Sequence, residues 1–406
     1  MTNTPIFRVA IPLVITLSLA ITTYSTAAED LPLAETSNLL EFTVDEGSWV
    51  SVSLHPSNEY FIFDLLGDIY SLPLSGGRAE RITSGMAFDS QPVISPSGEK
   101  VAFISDRNGK NNLWIADVDG SNPIQLSDET YTRILSPAWT TDSNYVMVTE
   151  RGKEIELKQY HVEGGSGTTV SQADDDNSNP PGVGAAFSPD GNTVYFAEKL
   201  GSPDAPTEDF PVTQIVRLNL NDGSRLQVTR GEGGAVRPKI SPDGKLLIYG
   251  TRYQTQTGLR VRDLESGEDR WLSYPIQRDA QENFRPSSRG MLPDYAITAD
   301  SEFVILSTGG QFQRIDIASG ARTEIPFTAD ISLNIGPDLT KTWRVPTGPL
   351  TATLAQSPDL SPNNERLVAS VLTRLYTLEK SDPQPVAITP EDMWAFQPVY
   401  LSLIHI

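Results

Sequence analysis

The sequence predicts an all-β protein with the architecture of a β-propeller, in which four-stranded blades repeat along the chain. The clearest repeat runs from Ala87 to Ser127 and contains four short runs of β-forming residues separated by turn residues. Its first turn, Ser95-Pro96-Ser97-Gly98, has the composition of a type I turn, because proline presets φ at the second position and glycine suits the fourth. No segment shows a long amphipathic helical period, which argues against a helical bundle.

The same kind of turn recurs seven times along the chain. The first two copies begin at His55 and Ser95 and the last two at Thr298 and Ser361, so the spacing grows from 40 to 63 residues. The shorter spacings match one propeller blade, and the longer ones imply insertions. The seven turns begin at His55, Ser95, Thr140, Ser188, Ser241, Thr298 and Ser361. Seven blades are therefore predicted.

The strands of individual blades follow from short apolar and β-branched runs. Phe42–Val44 is predicted as a strand that precedes blade 1 and closes the ring against the last blade, because propellers avoid a free edge. Blade 1 continues through Tyr60–Phe63, Asp68–Leu72 and Arg81–Thr83. The predicted second strands of blades 4 to 7 are Val194–Phe196, Leu246–Tyr249, Phe303–Leu306 and Leu367–Ala369.

The predicted repeat array covers residues 41–400, and its last residues open a further copy. Phe396–Tyr400 matches the first strand of a blade, as in Ser90–Ile94, so an eighth blade is begun. Leu401–Ile406 matches the translation of a common sequencing adapter and is left out of the fold as a scar. A ring that stopped there would have an open edge on blade 7, and Phe42–Val44 would lack its partner.

The composition of the chain limits where the protein can be located and what it can bind. The chain has 406 residues, no cysteine, and 52 acidic against 31 basic side chains, for a net charge of -21. This balance, without a basic run, argues against a nucleic-acid-binding protein. Met1–Ala28 resembles a secretory signal, with an apolar run and a small-residue cleavage site, and residues 29–40 form a polar lead-in. We therefore expect a periplasmic or secreted protein without a membrane span after cleavage.

The long insertions point to one face of the propeller as a binding surface. Extra length falls in the connections Gln172–Val183, Gly201–Thr213, Ser273–Asp294 and Phe327–Gln356. Connections of these types leave a propeller on the same face, where long loops commonly bind ligands.

Two sets of polar residues are expected on the same face of the propeller. The residue before the first-strand proline, or its counterpart, is small or polar in each blade and would line the channel mouth, while arginines follow the second strands. The candidate ligand- or partner-binding residues are Gln91, Asp106, Arg107, Arg151, Arg237, Arg252 and Asp294. Asp106 and Glu150 precede two of the arginines and could orient them by ion pairing. The alternative is a wet channel mouth whose acidic–basic corners tie neighbouring blades together.

No catalytic or metal-binding motif is found, so we assign no catalytic residue and predict no cofactor in this chain. The three histidines lack metal-ligand spacing. Gly164–Gly167 lacks the glycine that a nucleophile elbow requires and is predicted as a turn between strands. Asp174–Asn179 is acidic, but it lacks the glycine and glutamate of a calcium loop and is predicted as a solvated loop.

Several runs resemble known families. Phe103–Arg107, Leu113–Gly120 and the two Ser-Pro-Asp-Gly turns resemble the TolB-like propeller repeat. A closer likeness is to the propeller that precedes the barrel of exported, metal-dependent amidohydrolases, and it rests on Phe42–Trp49, Phe63–Tyr70, Ile82–Pro92 and Gly250–Tyr253. This resemblance implies a catalytic domain downstream in the same polypeptide, with a divalent metal such as zinc confined to that domain.

Three functions remain open at this stage. The chain is the accessory propeller of an amidohydrolase, a stand-alone periplasmic interaction protein that docks partners, or the propeller of a prolyl-oligopeptidase-type serine peptidase. Propellers serve binding, scaffolding and gating roles in many proteins, so the fold does not choose among these functions.

Overall fold

The computed structural model describes residues 38–128, 132–152, 155–172, 184–199, 213–280, 290–336 and 347–401. These residues form 31 β-strands and, within those ranges, no helix. Seven four-stranded antiparallel sheets and one three-stranded sheet account for all of the strands. The predicted propeller fold of four-stranded blades is confirmed. None of the described segments is a helix that could cross a membrane.

The strands follow the blades in chain order. Strand β1 (Asn38–Val44) precedes the first blade, and β5 (Gly77–Arg78) lies between two strands of blade 1 without joining its sheet. The first three blades contain β2 (Val52–Leu54), β3 (Tyr60–Leu65), β4 (Asp68–Pro73), β6 (Glu80–Arg81), β7 (Ser90–Ile94), β8 (Lys100–Ser105), β9 (Asn112–Asp117), β10 (Ile124–Gln125), β11 (Arg133–Trp139), β12 (Tyr145–Arg151), β13 (Ile155–His161) and β14 (Thr168–Gln172). Blades 4 to 6 contain β15 (Ala186–Phe187), β16 (Thr193–Lys199), β17 (Thr213–Asn219), β18 (Arg225–Gln227), β19 (Val236–Ile240), β20 (Leu246–Tyr253), β21 (Gln256–Asp263), β22 (Asp269–Ser273), β23 (Ala296–Ile297), β24 (Phe303–Thr308), β25 (Gln311–Asp316) and β26 (Arg322–Ile325). The remaining strands are β27 (Phe327–Ile335), β28 (Gln356–Leu360), β29 (Arg366–Val371), β30 (Arg374–Glu379) and β31 (Val386–Ala387).

Two compact units make up the chain, Met1–Pro337 and Asp338–Ile406. The first unit contains blades 1 to 6, and its first and last blades contact each other. In this unit β2 packs against β23 and β24, and the Val52 amide donates a hydrogen bond of 3.0 Å to the Asp294 carbonyl. Six blades therefore close into a ring within the first unit.

Aromatic side chains fill the closure between blades 6 and 1. The ring centroids of Phe63 and Phe312 lie 4.7 Å apart, and Phe327 lies 5.7 Å from Phe63 and 4.7 Å from Phe312. All three side chains are buried in one apolar cluster. Edge-to-face aromatic pairs add to the free energy gained by burial, so this cluster holds the two ends of the ring together.

A three-stranded sheet lies beside this closure. Strand β27 pairs antiparallel with β1 and parallel with β5, the short strand between β4 and β6 of blade 1. Phe42–Val44 is thus a strand, as predicted, and its partner is a strand within Phe327–Gln356, which the sequence pattern assigns to a connection. The expectation that Phe42–Val44 lacks a partner was wrong, because β27 follows blade 6 and supplies one.

The recurrent turn is stabilised by its own side chains. In the copy that begins at Ser241, the Ser241 hydroxyl donates to Asp243 Oδ1 at 2.5 Å, and the Leu246 amide donates to Ser241 Oγ at 2.9 Å. The hydrogen bond from Ser241 and that from the Lys245 amide lower the pKa of Asp243. Serine, proline, aspartate and glycine therefore recur because each satisfies one requirement of the turn.

The second unit contains the seventh blade, β28 to β31. Phe396–Tyr400, predicted to open an eighth blade, forms no strand but keeps two features of a blade's opening. Gln397 has a φ of 50°, close to the 54° of Gln91. The Tyr400 amide donates to Asp359 Oδ2 at 2.6 Å, where the Ile94 amide in the first unit donates to Ser53 Oγ at 2.9 Å.

Candidate functional site: a buried polar ring

Each blade of the first unit contributes one residue at the start of its first strand to a set that we call the polar ring. Its members are Ser51, Gln91, Ser136, Gly184, Arg237 and Asp294. Gln91, Ser136 and Arg237 have φ values of 54°, 55° and 50°, and the strand pairing shifts register at the same points. A β-bulge at each of these positions redirects the side chain away from the regular alternation of the strand.

The polar ring lies in the protein interior. The exposed fraction of its five residues with side chains is only 1–4%, and Gly184 is also buried. These positions, expected at a channel mouth, have buried side chains. Polar groups buried to this extent require hydrogen-bond partners, so the contacts of each member decide what the ring can do.

Buried side chains connect blades 1, 2 and 3. Asp64, on β3, accepts hydrogen bonds from the Ser51 amide at 2.7 Å and the Gln91 amide at 3.0 Å. The side chain of Gln91 extends the connection, because its Oε1 accepts from the Ser136 amide at 2.9 Å. The backbone of three consecutive members is thereby held by one carboxylate and one amide.

Blades 5, 6 and 1 are connected through Asp294. Lys239 Nζ lies 2.9 Å from Asp294 Oδ2, and both side chains are largely buried. The Asp294 amide donates to Ser51 Oγ at 3.3 Å. This ion pair neutralises the charge of Asp294 and joins the last blade to the first.

Arg237 is fixed at two points. Its Nε donates to the Leu292 carbonyl at 3.0 Å, and its own carbonyl accepts from the Tyr295 hydroxyl at 2.6 Å. Burial raises the pKa of Tyr295 well above its ordinary value, so this hydroxyl keeps its proton and remains a donor. The position of the Arg237 side chain is thus set by the connection between blades 5 and 6.

In the described part of the chain, no hydrogen bond joins Gly184 of blade 4 to its neighbours in the ring. Gly184 has no side chain, and a Cβ added there would lie 3.5 Å from Arg237 Cδ and 3.7 Å from Nη1. Ser136 Oγ and Arg237 Nη2 are buried without a hydrogen-bond partner among the described residues. The two unpartnered atoms thus belong to the blades on either side of Gly184, and we call Ser136, Gly184 and Arg237 the blade-4 gap.

The arginines after the second strands of blades 2 and 5 form buried ion pairs. Arg107 Nη2 lies 2.5 Å from Asp89 Oδ2, and Arg252 Nη2 lies 2.5 Å from Asp279 Oδ1. The expected pairing of Arg107 with the adjacent Asp106 was wrong, because Asp106 accepts a hydrogen bond from the Phe88 amide instead. These two arginines therefore hold the chain segments that lead into two first strands, β7 and β23.

Blade 3 differs at the same corner. Arg151 ends β12 and lies opposite Arg133 and Ile155 in the pairing register. Glu150, expected to orient it, approaches Lys158 at 3.4 Å and accepts a hydrogen bond from the Tyr160 hydroxyl. The acidic residue before the arginine thus has different partners in blades 2 and 3.

A buried acidic pair lies between blades 1 and 2. Burial raises the pKa of Asp68 to about 7; Arg81 and Arg107 oppose this rise, and Asp89 adds to it. Burial also raises the pKa of Asp89, again against Arg107. The folded state holds a proton on Asp68 more tightly than the unfolded chain does, so protonation of Asp68 stabilises the fold. This stabilisation is fully present below about pH 4. It is lost as the pH rises through about 7.

We therefore expect Asp68→Asn to become more stable relative to the wild type as the pH rises from 5 to 8, by about 1–3 kcal/mol. Urea unfolding at each pH measures the difference. Asp117→Asn is the control. Hydrogen bonds, of which the one from Lys100 has the largest effect, lower the pKa of Asp117 to about 2, so Asp117 is fully ionised throughout the range from pH 5 to 8. Parallel stability profiles for the wild type and Asp68→Asn would contradict the assignment.

The remaining sequence motifs are placed as follows. Gly164–Gly167 lies in the connection between β13 and β14, as predicted for a turn. Asp174–Asn179 lies outside the described residues, as do nearly all of Gln172–Val183 and Gly201–Thr213 and parts of the other two long connections. The binding face that these connections define therefore stays a prediction. Among the described ranges, no group of three or more acidic, histidine or cysteine side chains is arranged to hold a metal ion.

Sequence reasoning missed Asp64, Lys239 and Tyr295 as parts of the ring. Asp64 carried a usable signal, because it is a charged residue between Phe63 and Leu65 in an otherwise apolar strand. Lys239 and Tyr295 carried none, since their partners are about 55 residues away in the chain. Ser136 was noted by its position, but its unpartnered hydroxyl depends on the three-dimensional contacts.

A family model of known proteins agrees with the fold. Residues 63–203 match the family model of the TolB beta propeller domain. A putative TolB from Agrobacterium tumefaciens has a structure that covers 58% of this chain and 82% of its own, with 19% sequence identity and a TM-score of 0.47.

Two curated relatives have names of the peptidase type. Tricorn protease homolog 1 of Streptomyces coelicolor is 25% identical over 285 residues, which are 69% of this chain and 24% of the relative. The uncharacterized peptidase YuxL of Bacillus subtilis is 26% identical over 172 residues, 41% of this chain and 22% of the relative. The chain thus spans about a quarter of the length of these relatives.

Proposed function

We propose that this chain, a β-propeller protein of TolB type, is the non-catalytic, peptide-binding part of an exported hydrolase of the peptidase type. The observation that carries the proposal is the similarity to Tricorn protease homolog 1, which extends over more than two thirds of the chain. Both peptidase-type relatives are about four times longer than their matched segments, which leaves room for a catalytic domain elsewhere in such proteins.

The parent enzyme is therefore better supported as a peptidase than as the amidohydrolase that the sequence resemblance suggested. The prolyl-oligopeptidase type remains one form that such a peptidase could take. An amidohydrolase parent would place zinc in a barrel downstream, and neither relative described above has a name of that class. Export rests on the leader-like composition of Met1–Ala28 and leads to the periplasm or the outside of the cell.

A stand-alone interaction propeller is the second candidate. It is favoured by the match of residues 63–203 to the TolB domain and by the closed six-bladed ring, which needs no further blade to complete the first unit. Its partners would be periplasmic proteins rather than peptides, and it would bind them through loops or through the ring.

The test is peptide retention by the full chain. A mixture of random heptapeptides is equilibrated with the purified chain across a dialysis membrane, and both compartments are analysed by mass spectrometry. We expect retention of intact peptides above that seen with a chain of similar charge and no propeller, without new fragments. Cleavage by this chain would overturn its non-catalytic role, and the absence of any retention would overturn peptide binding and favour the second candidate.

A further inference from the structure

Within the described residues, contacts connect the members of the polar ring except at blade 4. Asp64, Gln91 and the Lys239–Asp294 pair connect its other members through hydrogen bonds and an ion pair. At the blade-4 gap the corresponding position is Gly184, and the polar atoms on its two sides have no partner among the described residues. A buried donor without an acceptor is costly, so the fold keeps two such atoms, one in each blade beside blade 4, at a cost to its stability.

The charge of this gap is positive. Arg237 is 4% exposed, and no carboxylate forms an ion pair with it among the described residues. The neighbouring Lys239 is already neutralised by Asp294. The other carboxylate bound to members of the ring, Asp64, accepts hydrogen bonds from the Ser51 and Gln91 amides. A buried, uncompensated guanidinium favours binding of an anion.

The donors of the gap suit a carboxylate. Nε of Arg237 is occupied by the Leu292 carbonyl, which fixes the plane of the guanidinium and leaves Nη2 as a donor. Ser136 Oγ supplies a neutral hydroxyl donor from the other side. Gly184 has a φ of 94°, a left-handed conformation that glycine adopts without strain, and its missing side chain leaves space beside the guanidinium. A small planar acceptor with two oxygens matches these donors.

We propose that the blade-4 gap binds a carboxylate group, held by Arg237 Nη2 and Ser136 Oγ beside Gly184. This site goes beyond peptide binding in general, since it specifies the chemical group recognised and the residues that recognise it. The carboxylate comes from a small organic acid or from a peptide, and the experiment distinguishes the two sources.

The probes are sodium acetate, trialanine with a free C-terminus, and trialanine amide. Each is titrated into the full chain at constant ionic strength, with sodium chloride as the reference, and the unfolding midpoint is followed as a function of probe concentration. A ligand that binds the folded state raises the midpoint in proportion to its occupancy. We expect stabilisation by acetate or by the trialanine acid and a weaker effect of the amide.

Two variants test the residues. Ser136→Ala removes a hydroxyl that no described residue uses, so it should fold as well as the wild type while binding the carboxylate roughly fivefold to tenfold less tightly. Arg237→Lys keeps the charge but loses the planar fork, and its affinity should fall by about tenfold or more. Ser273→Ala is the matched control, because Ser273 Oγ is also buried with no hydrogen-bond partner in the described part of the chain but belongs to blade 5, on β22.

The outcomes separate the site from the proposed function. Stabilisation by acetate alone, lost in Ser136→Ala and kept in Ser273→Ala, would support the site and contradict peptide binding there. Equal stabilisation by the trialanine acid and amide would overturn the site and leave peptide binding standing. No stabilisation by any probe, or equal losses in both serine variants, would overturn the site.

Discussion

Replacing Phe63 with alanine is expected to lower the free energy of unfolding by about 3–5 kcal/mol, the range typical of a buried phenylalanine. Phe63 is fully buried and contacts aromatic rings from blade 6 and from β27. The substitution therefore leaves a cavity at the place where the ring closes. A change inside one blade would affect one sheet, whereas this change also weakens the contact between the first and last blades.

Urea unfolding of the full chain, followed by tryptophan fluorescence, measures this loss. Phe88→Ala is the matched control, because Phe88 is 37% exposed and should lose far less. A loss below about 1 kcal/mol for Phe63→Ala would mean that the aromatic cluster does not stabilise the closure. A loss of the same size in both variants would point to a general effect of removing a phenylalanine.

Arg252→Ala is expected to destabilise the protein by about 3–5 kcal/mol, because it leaves a buried carboxylate without its cation. The side chains of Arg252 and Asp279 are 8% and 0% exposed, and Arg252 also donates to the Asp279 carbonyl at 2.9 Å. The substitution thus removes the charge partner and a hydrogen bond that holds the connection between blades 5 and 6.

Arg78→Ala provides the comparison, since Arg78 pairs with Asp330 while 75% of its side chain is exposed. An exposed ion pair contributes at most about 1 kcal/mol, so this variant should remain close to the wild type. Thermal unfolding of both variants at the same pH measures the contrast. Similar midpoints for Arg252→Ala and Arg78→Ala would show that the buried pair is no stronger than the exposed one.

The sequence was sufficient for the parts of the fold that depend on local chemistry. Turns such as Ser241–Gly244 are defined by residues within a few positions of each other, and the second strands of the blades lie where apolar runs such as Leu246–Tyr249 predicted them. Repetition reinforced these predictions, because each blade repeats the same pattern with different residues.

Contacts between residues that are far apart in the sequence could not be predicted from local patterns. Strand β27 was missed because its pattern has no turn to mark it and both of its partners are more than 200 residues away in the chain. The partner of Arg107 was misassigned because adjacency in sequence favoured Asp106, whereas folding brings Asp89 to the guanidinium. The polar ring was found by its position at the first strands, but the bulges that bury it depend on strand pairing.

The ladder between β1 and β27 has a mechanical consequence. Asn38 lies opposite Ile335 in this antiparallel pair, so the two points at which the backbone enters and leaves the six-bladed ring are neighbours. A pull applied at these two points opens the ladder one residue pair at a time, as a zipper opens, rather than shearing all of its pairs at once. Tension along the polypeptide would therefore separate β1 from β27 first, before any force acts on the packing between blades.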